Sequence, residues 1–379
     1  MIGLTRRLPC GTGKPQAAIG HVEQVIRNDN PRNAPPRRLL LLLLATWAGL
    51  LAALPATARD LSIALNDGLA PFAIRETYVR PFAESTGLVV EVGHWEGGVA
   101  ALRSRLEAQV PWDVVVVTGA ELIGACDAGL LEKLDWAALG GRERQLPGGA
   151  SDCGVGVAMR ATILSWDRDK LQGMPGWPEF WDVVKLPGKR GLRRHPRTTF
   201  EFALLADGVA PADVYRLLRT DAGIDRALRR LDQLRPYIVW WQDDAEAARL
   251  LASGEVLMTS APSTLVADAN RLDGRNFALQ WAGGVTSVGS FAIVKGSPNL
   301  AAAMKLLAYA AEPRVQARLA ALLPLGAVAK GALDALPPEL QATLPSGAAA
   351  QAVTLSADEA FWRDNLAKLT QRFDAWLPR

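Results

Sequence analysis

The chain has 379 residues, 49% of them hydrophobic and 21% charged. That balance excludes a disordered chain, and the length suits two lobes better than one core. The formal charge is +3, but residues 1–58 hold seven Lys/Arg and two Asp/Glu. The remainder therefore carries 35 against 37, a net −2, which removes the basis for a basic nucleic-acid surface.

Arg37-Arg38 precede an apolar run from Leu39 to Leu54, and Ala56-Thr57-Ala58 follow Pro55. A basic start, a short apolar run and an A-x-A site predict a secretory signal peptide and an exported protein. The alternative, a signal-anchor helix, would need a longer run. Residues 1–34 make an unusually long polar leader, and 1–58 are set apart from the fold. Cys126 and Cys153 remain, 27 positions apart. An oxidising compartment favours a disulfide between them over two buried free thiols.

Leu61–Leu65 is an expected strand, Pro71–Ser85 a helix ending at Gly87, and Leu88–Val92 a second strand. Gly97-Gly98 open a helix with Val99, Leu102 and Leu106 on one face. Asp113–Val117 is a third strand, and Thr118-Gly119 lead into a helix stopping near Gly129. Apolar strands alternating with amphipathic helices indicate a parallel sheet covered on both faces.

Val155–Met159 and Thr162–Trp166 read as paired strands, with a possible strand at Leu192. Helices follow around Asp213–Arg219 and along the stripe Ile224, Leu228, Leu231, Leu234. Ile238–Gln242 is a strand, and Asp243 or Asp244 caps a helix ending at Gly254. Val256–Thr259 and Phe277–Trp281 are further strands, and Ser290–Val294 returns to the first lobe. Ser297-Pro298 start a helix, Pro313 another, and Asp358–Trp376 is the last.

Several segments carry a family pattern: Pro111-Trp112-Asp113-Val114-Val115, Gly129-Leu130-Leu131-Glu132-Lys133-Leu134-Asp135, and Phe180-Trp181-Asp182 with Pro187-Gly188-Lys189-Arg190-Gly191. Gly254-Glu255-Val256-Leu257-Met258 and Ser290-Phe291-Ala292-Ile293-Val294 with Gly296-Ser297-Pro298-Asn299 complete it. In this order they resemble the periplasmic solute-binding proteins of the spermidine/putrescine group, of the type II fold, along the whole chain after the leader. The resemblance implies an α/β protein of two lobes joined by crossing strands, each a mixed, mostly parallel sheet with helices on both faces. It implies a monomer that delivers a small polar solute to the permease of an ABC importer in the inner membrane, with no cofactor, no metal and no catalysis.

On that pattern residues 59–155 open the first lobe, 156–284 form the second, 285–330 return, and 331–379 are C-terminal helices packed on the lobes. The family's polyamines are held by carboxylates at the ammonium groups and aromatic rings along the methylenes. Here the matching loops read differently. His195 and Thr198 stand where the acids are expected, within Arg193-Arg194-His195-Pro196-Arg197-Thr198-Thr199, and Ser287 and Gly289 replace an aromatic and an Asp.

Ligands in open parallel sheets bind beyond the carboxyl ends of strands. That rule selects Asn66, Asp67, Trp95, Glu96, Thr118, His195, Arg197, Thr198, Trp241, Asp243, Ser260 and Ser287 as candidate ligand-binding residues. Bland readings stand beside them: a tight turn for Trp95-Glu96, a helix cap for Asp243, a core position for one of Trp240 and Trp241, a solvated basic loop for Arg193–Arg197. The arginine loop alternatively suits an amino acid derivative or an organic anion. An enzyme on a similar scaffold is the further alternative, but no G-x-S-x-G, H-E-x-x-H or complete P-loop is present. A binding protein for iron would need more than four tyrosines and the two histidines beyond the leader, His94 and His195, readily supply.

Overall fold

The computed structural model describes residues 60–66, 70–109 and 111–377. The expected signal peptide and Asp67 lie outside the described residues. Nine strands form one continuous sheet: β1 Leu61–Leu65, β2 Val90–His94, β3 Val114–Val117, β4 Gly154–Trp166, β5 Arg190–Arg193, β6 Ile238–Trp241, β7 Met258–Pro262, β8 Gln280–Ile293 and β9 Leu355–Ser356. Their order is β2-β1-β3-β8-β4-β7-β5-β6, with β9 on β8.

The topology produces two lobes. In the first, β1 runs parallel to β2 and β3, and the end of β8 closes against β3 with Val114 opposite Ile293. In the second, β5 runs parallel to β6 and β7. Antiparallel β4 and β8 run between them: Gly154–Gly156 pair with the Ser290–Ala292 end of β8, and Thr162–Trp166 pair with β7.

These crossing strands correct the sequence reading. Val155–Met159 and Thr162–Trp166 are not a pair but one 13-residue strand. Nothing between them supplies turn chemistry, and Arg160-Ala161 continue the pleat. Gln280-Trp281 of the expected Phe277–Trp281 strand and Ser290–Ile293 likewise belong to one strand, β8, of 14 residues. Gly283-Gly284 disguised it. Gly283 has φ +70°, and a Cβ there would meet Trp177 Cδ1 at 2.8 Å. The Trp177 indole Nε1 donates to the Gly283 carbonyl at 3.0 Å, so this glycine admits a large core side chain against the strand backbone.

The first lobe's core joins Leu61, Ile63, Val114, Val116, Phe291 and Ile293 with Tyr78, Phe82, Leu306 and Leu307. The helix expected from Ser297 begins instead at Leu300, because Ser297 is engaged elsewhere. Its Oγ donates to Asp113 Oδ1 at 2.6 Å. Asp113 also accepts from Ser62 N at 2.7 Å, Ser62 Oγ at 2.8 Å and Asn299 Nδ2 at 3.2 Å. Burial would raise this carboxyl, but the bonds from Ser297, Ser62 and Asn299 outweigh it and hold it below the usual aspartate range.

The second lobe's core contains Trp177, Phe180, Leu192, Phe200, Leu231 and Met258. Phe361, Trp362, Leu369 and Phe373 of the last helix, Glu359–Trp376, belong to the same cluster. That helix is amphipathic, and its apolar stripe fills the second lobe while Asp358 caps its start through the Phe361 amide at 2.9 Å.

Cys126 and Cys153 form a disulfide, with Cα atoms 5.8 Å apart. It ties the end of the helix Gly119–Asp127 to the residue before β4. Closing a loop of this length restricts the unfolded chain by about 3.5 kcal/mol. The Cys126→Ser/Cys153→Ser variant should therefore lose about that much stability in urea unfolding. An unchanged midpoint would show that the bond is not formed in the native protein.

Candidate functional site

The parallel strands of the two lobes end in loops that meet through one side chain, Glu359. Its Oε1 accepts from Arg197 Nη2 at 2.6 Å, beyond the end of β5. Its side chain also lies against Gly119, beyond the end of β3, where an added Cβ would stand 2.5 Å from Glu359 Cγ. Arg363, one turn on, pairs with Asp127 of the same first-lobe helix. Beside this junction is a cavity of about 350 Å³, bordered by Gly119, Ser151, Ser287, Ser290, Ser356 and Glu359.

On the first-lobe side, Asn66 is buried. Its Nδ2 donates to the Val116 carbonyl at 3.4 Å, and its Oδ1 has no hydrogen-bond partner. Thr118 donates from N and Oγ1 to Glu121 Oε2, each at 2.8 Å. Glu121 Oε1 accepts from the Gly98 amide at 2.7 Å. Gly97, at φ +84°, has no room for a Cβ, which would fall 2.6 Å from that oxygen. Thus Thr118 and the Gly97-Gly98 turn are brought together by Glu121, with Asn66 held beside them on the Val116 carbonyl. Trp95 instead enters the core, donating from Nε1 to Val116 O at 3.2 Å and meeting Trp112 edge-on. Glu96 is exposed.

On the second-lobe side, the loop after β5 carries the densest charge. His195 Nδ1 accepts from the Arg197 amide at 3.1 Å. Burial, with Arg193 and Arg197 nearby, pushes the imidazole down to about 4, so it is neutral at physiological pH. Arg197 and Thr198 break the helical backbone within Pro196–Ala206. Thr198 sits at φ +71°, buried, with no partner for Oγ1. A β-branched residue in the left-handed region is strained, and such strain concentrates at binding sites. Thr199 Oγ1 donates to the Arg193 carbonyl at 2.9 Å and fastens the loop.

Arg193 is the distinctive member. It is half-buried beside Trp241, with its guanidinium carbon 5.8 Å from the indole centroid. No carboxylate lies within ion-pair distance of it among the described residues. Burial lowers its guanidinium, Asp244 opposes this, and Arg160 and Arg197 add to it. Asp244 is engaged by Arg160 at 2.5 Å. Arg197 is raised, because Glu359 outweighs its burial. Among the described residues Arg160 pairs with Asp244 and Arg197 with Glu359, while Arg193 has no carboxylate at ion-pair distance.

Other candidate residues occupy structural positions. Trp241 packs with Ala247, Leu250, Leu251 and Val256, its Nε1 unpartnered. Asp243 caps the helix Asp244–Ser253 through the Glu246 amide at 2.9 Å. Ser260 is buried within the sheet, 3.5 Å from the Gly191 carbonyl. Ser287 is half-buried on β8 opposite Arg160 of β4. Arg193 belongs to the arginine loop that the sequence singles out, whereas Arg160, Asp244 and Glu359 were not among the candidates. Arg160 has a visible signal, a lone charge inside an apolar strand. Glu359 has none, since its partner is 162 residues away. Among the described residues no group of three or more His, Cys, Asp or Glu could hold a metal ion, and no helix is long and apolar enough to cross a membrane.

Two α/β lobes spanned by crossing strands, with charged strand-end loops meeting at a cavity, define a periplasmic-binding-protein fold. The chain belongs to the bacterial extracellular solute-binding protein family, which matches residues 77–374. It is 38% identical over 330 residues to the gamma-aminobutyric acid-binding protein of Pseudomonas aeruginosa, covering 86% of this chain and 94% of that one. Among solved structures it is similar to a GABA receptor, with 28% identity, a TM-score of 0.74 and coverage of 84% and 97%. It is also similar to MotA of A. tumefaciens B6 in complex with glucopine, with 29% identity, a TM-score of 0.72 and coverage of 84% and 99%. Membership implies delivery of a small solute to the permease of an ABC importer.

Proposed function

We propose that this protein captures, in the periplasm, a small zwitterion of the ω-amino acid class, GABA or a close derivative. The observation that carries the reading is Arg193, a half-buried guanidinium with no carboxylate partner beside two further arginines. A ligand carboxylate would complete it with paired hydrogen bonds. Glu359 supplies the complementary acceptor for an ammonium group: one oxygen is held by Arg197, and the other is buried without a partner.

A polyamine fits this loop poorly. A dication needs carboxylates where this chain has His195 and Thr198, and the nearby Arg193 would repel it. The family names and the charge of the cleft thus favour the amino acid derivative over spermidine or putrescine. A thermal-shift screen tests the choice. GABA at about a hundred times its Kd should stabilise the native state by about 2.7 kcal/mol, a rise of several degrees. A shift with putrescine or spermidine but with no ω-amino acid would overturn the reading.

A further inference from the structure

The second lobe holds a carboxylate that the cleft reading does not use. Glu201 lies four residues beyond Arg197 on the helix Pro196–Ala206 and is fully buried. Its Oε1 accepts from the Tyr215 hydroxyl and from the Trp362 indole Nε1, each at 2.9 Å. Its Oε2 is buried with no partner. Three elements converge on it: the helix after the cleft loop, the helix Val214–Leu218 and the last helix. Trp362 is one turn from Glu359, so the carboxylate that anchors Trp362 also anchors the end of the helix that enters the cleft. Arg197 closes the circuit from the other side through its pair with Glu359.

We propose that Glu201 is a positioning residue whose proton sets where Arg197 and the Glu359 end of the last helix stand in the cleft. Acting to lower it are its own backbone amide, Tyr215 and Arg197 from its own side of the lobe, and Trp362 from the last helix. Burial outweighs all of them and pushes the carboxyl up to about 7. Burial and Glu201 raise the Tyr215 hydroxyl in turn, so it remains a donor throughout. Neutral Glu201 leaves Arg197 to Glu359 alone and keeps the cleft positive. Ionised Glu201 is a second anion behind Arg197. It draws that guanidinium back and weakens the field that a ligand carboxylate meets.

The ligand-dependent half of this proposal rests on the carboxylate reading above, and the ligand-free half does not. In ligand-free protein, the Trp362 indole N–H resonance should titrate with a midpoint near about 7. The melting temperature should fall as pH rises from the ordinary glutamate value towards that midpoint and then level off. Over that range the native carboxyl keeps a proton that the unfolded one has lost. Glu201→Gln keeps the shape and the acceptor oxygen but cannot ionise, so both signatures should vanish in it. A Trp362 resonance that does not move in wild type overturns the proposal without reference to any variant.

With GABA as probe, wild-type affinity should drop about fivefold as pH rises through the midpoint to about 8.5, and Glu201→Gln should be flat. An equal slope in both proteins would overturn the link from Glu201 to the cleft. If no ω-amino acid binds at any pH, the functional reading fails, and the indole titration still decides whether Glu201 moves the last helix.

Discussion

Replacing Arg193 by alanine should weaken binding of an ω-amino acid by about 100-fold, or about 3 kcal/mol, in isothermal titration. The reason is the asymmetry of a desolvated pair. The ligand carboxylate leaves water on entering the cleft, and without the guanidinium nothing nearby takes over its hydrogen bonds, since Arg160 is committed to Asp244 and Arg197 to Glu359. Arg193→Lys keeps the charge but not the paired donors and should fall between the two. Arg194, its exposed neighbour, should tolerate alanine with no measurable change.

Folding stability should respond in the opposite sense. In the ligand-free protein burial, Arg160 and Arg197 together outweigh the attraction of Asp244 for Arg193, so its removal should leave the melting temperature unchanged or slightly raised. Wild-type affinity in Arg193→Ala would place the carboxylate elsewhere and end the zwitterion reading.

Asp113→Ala should cost about 4 kcal/mol in urea unfolding, without touching the cleft. The carboxylate joins β1, β3 and the Ser297–Asn299 turn through Ser62, Ser297 and Asn299. Truncation leaves the buried Ser62 amide without its acceptor. Because the folded carboxyl is held below its unfolded value, this stabilisation is present at neutral pH and is lost as pH falls through the depressed value. Acid unfolding of wild type should therefore be steep below about pH 4, and the variant should lack part of that slope. A midpoint shift of less than about 1 kcal/mol would mean that water replaces the lost bonds.

The parts of the fold that depend on local pattern were legible. Four consecutive valines at Val114–Val117 can only be a strand buried on both faces, and Asp243 with Gly254 bracket a helix as a cap and a left-handed stop. The crossing strands were not legible, because Gly283-Gly284 inside β8 carry the punctuation of a turn while serving the Trp177 contact. The cleft was half legible. Arg193–Thr199 stood out by composition, but the left-handed Thr198 backbone is a product of tertiary constraint. Glu359 lies at the start of an amphipathic helix whose sequence looks like ordinary packing, and only the fold brings it to Arg197 and Gly119.

The last helix also dictates an order of assembly. Phe361, Trp362, Leu369 and Phe373 complete a core whose other members begin near Leu164. As the chain is synthesised, the first lobe can close its core once Phe291, Ile293, Leu306 and Leu307 have been made. The second lobe, however, must wait for the final residues before its interior is dry. A nascent chain lacking only its last twenty or so residues would have made most of its strands and still expose the bed of that helix. The segment most sensitive to premature termination is therefore the one farthest from the start, and a holding chaperone would find its target there rather than in the cleft.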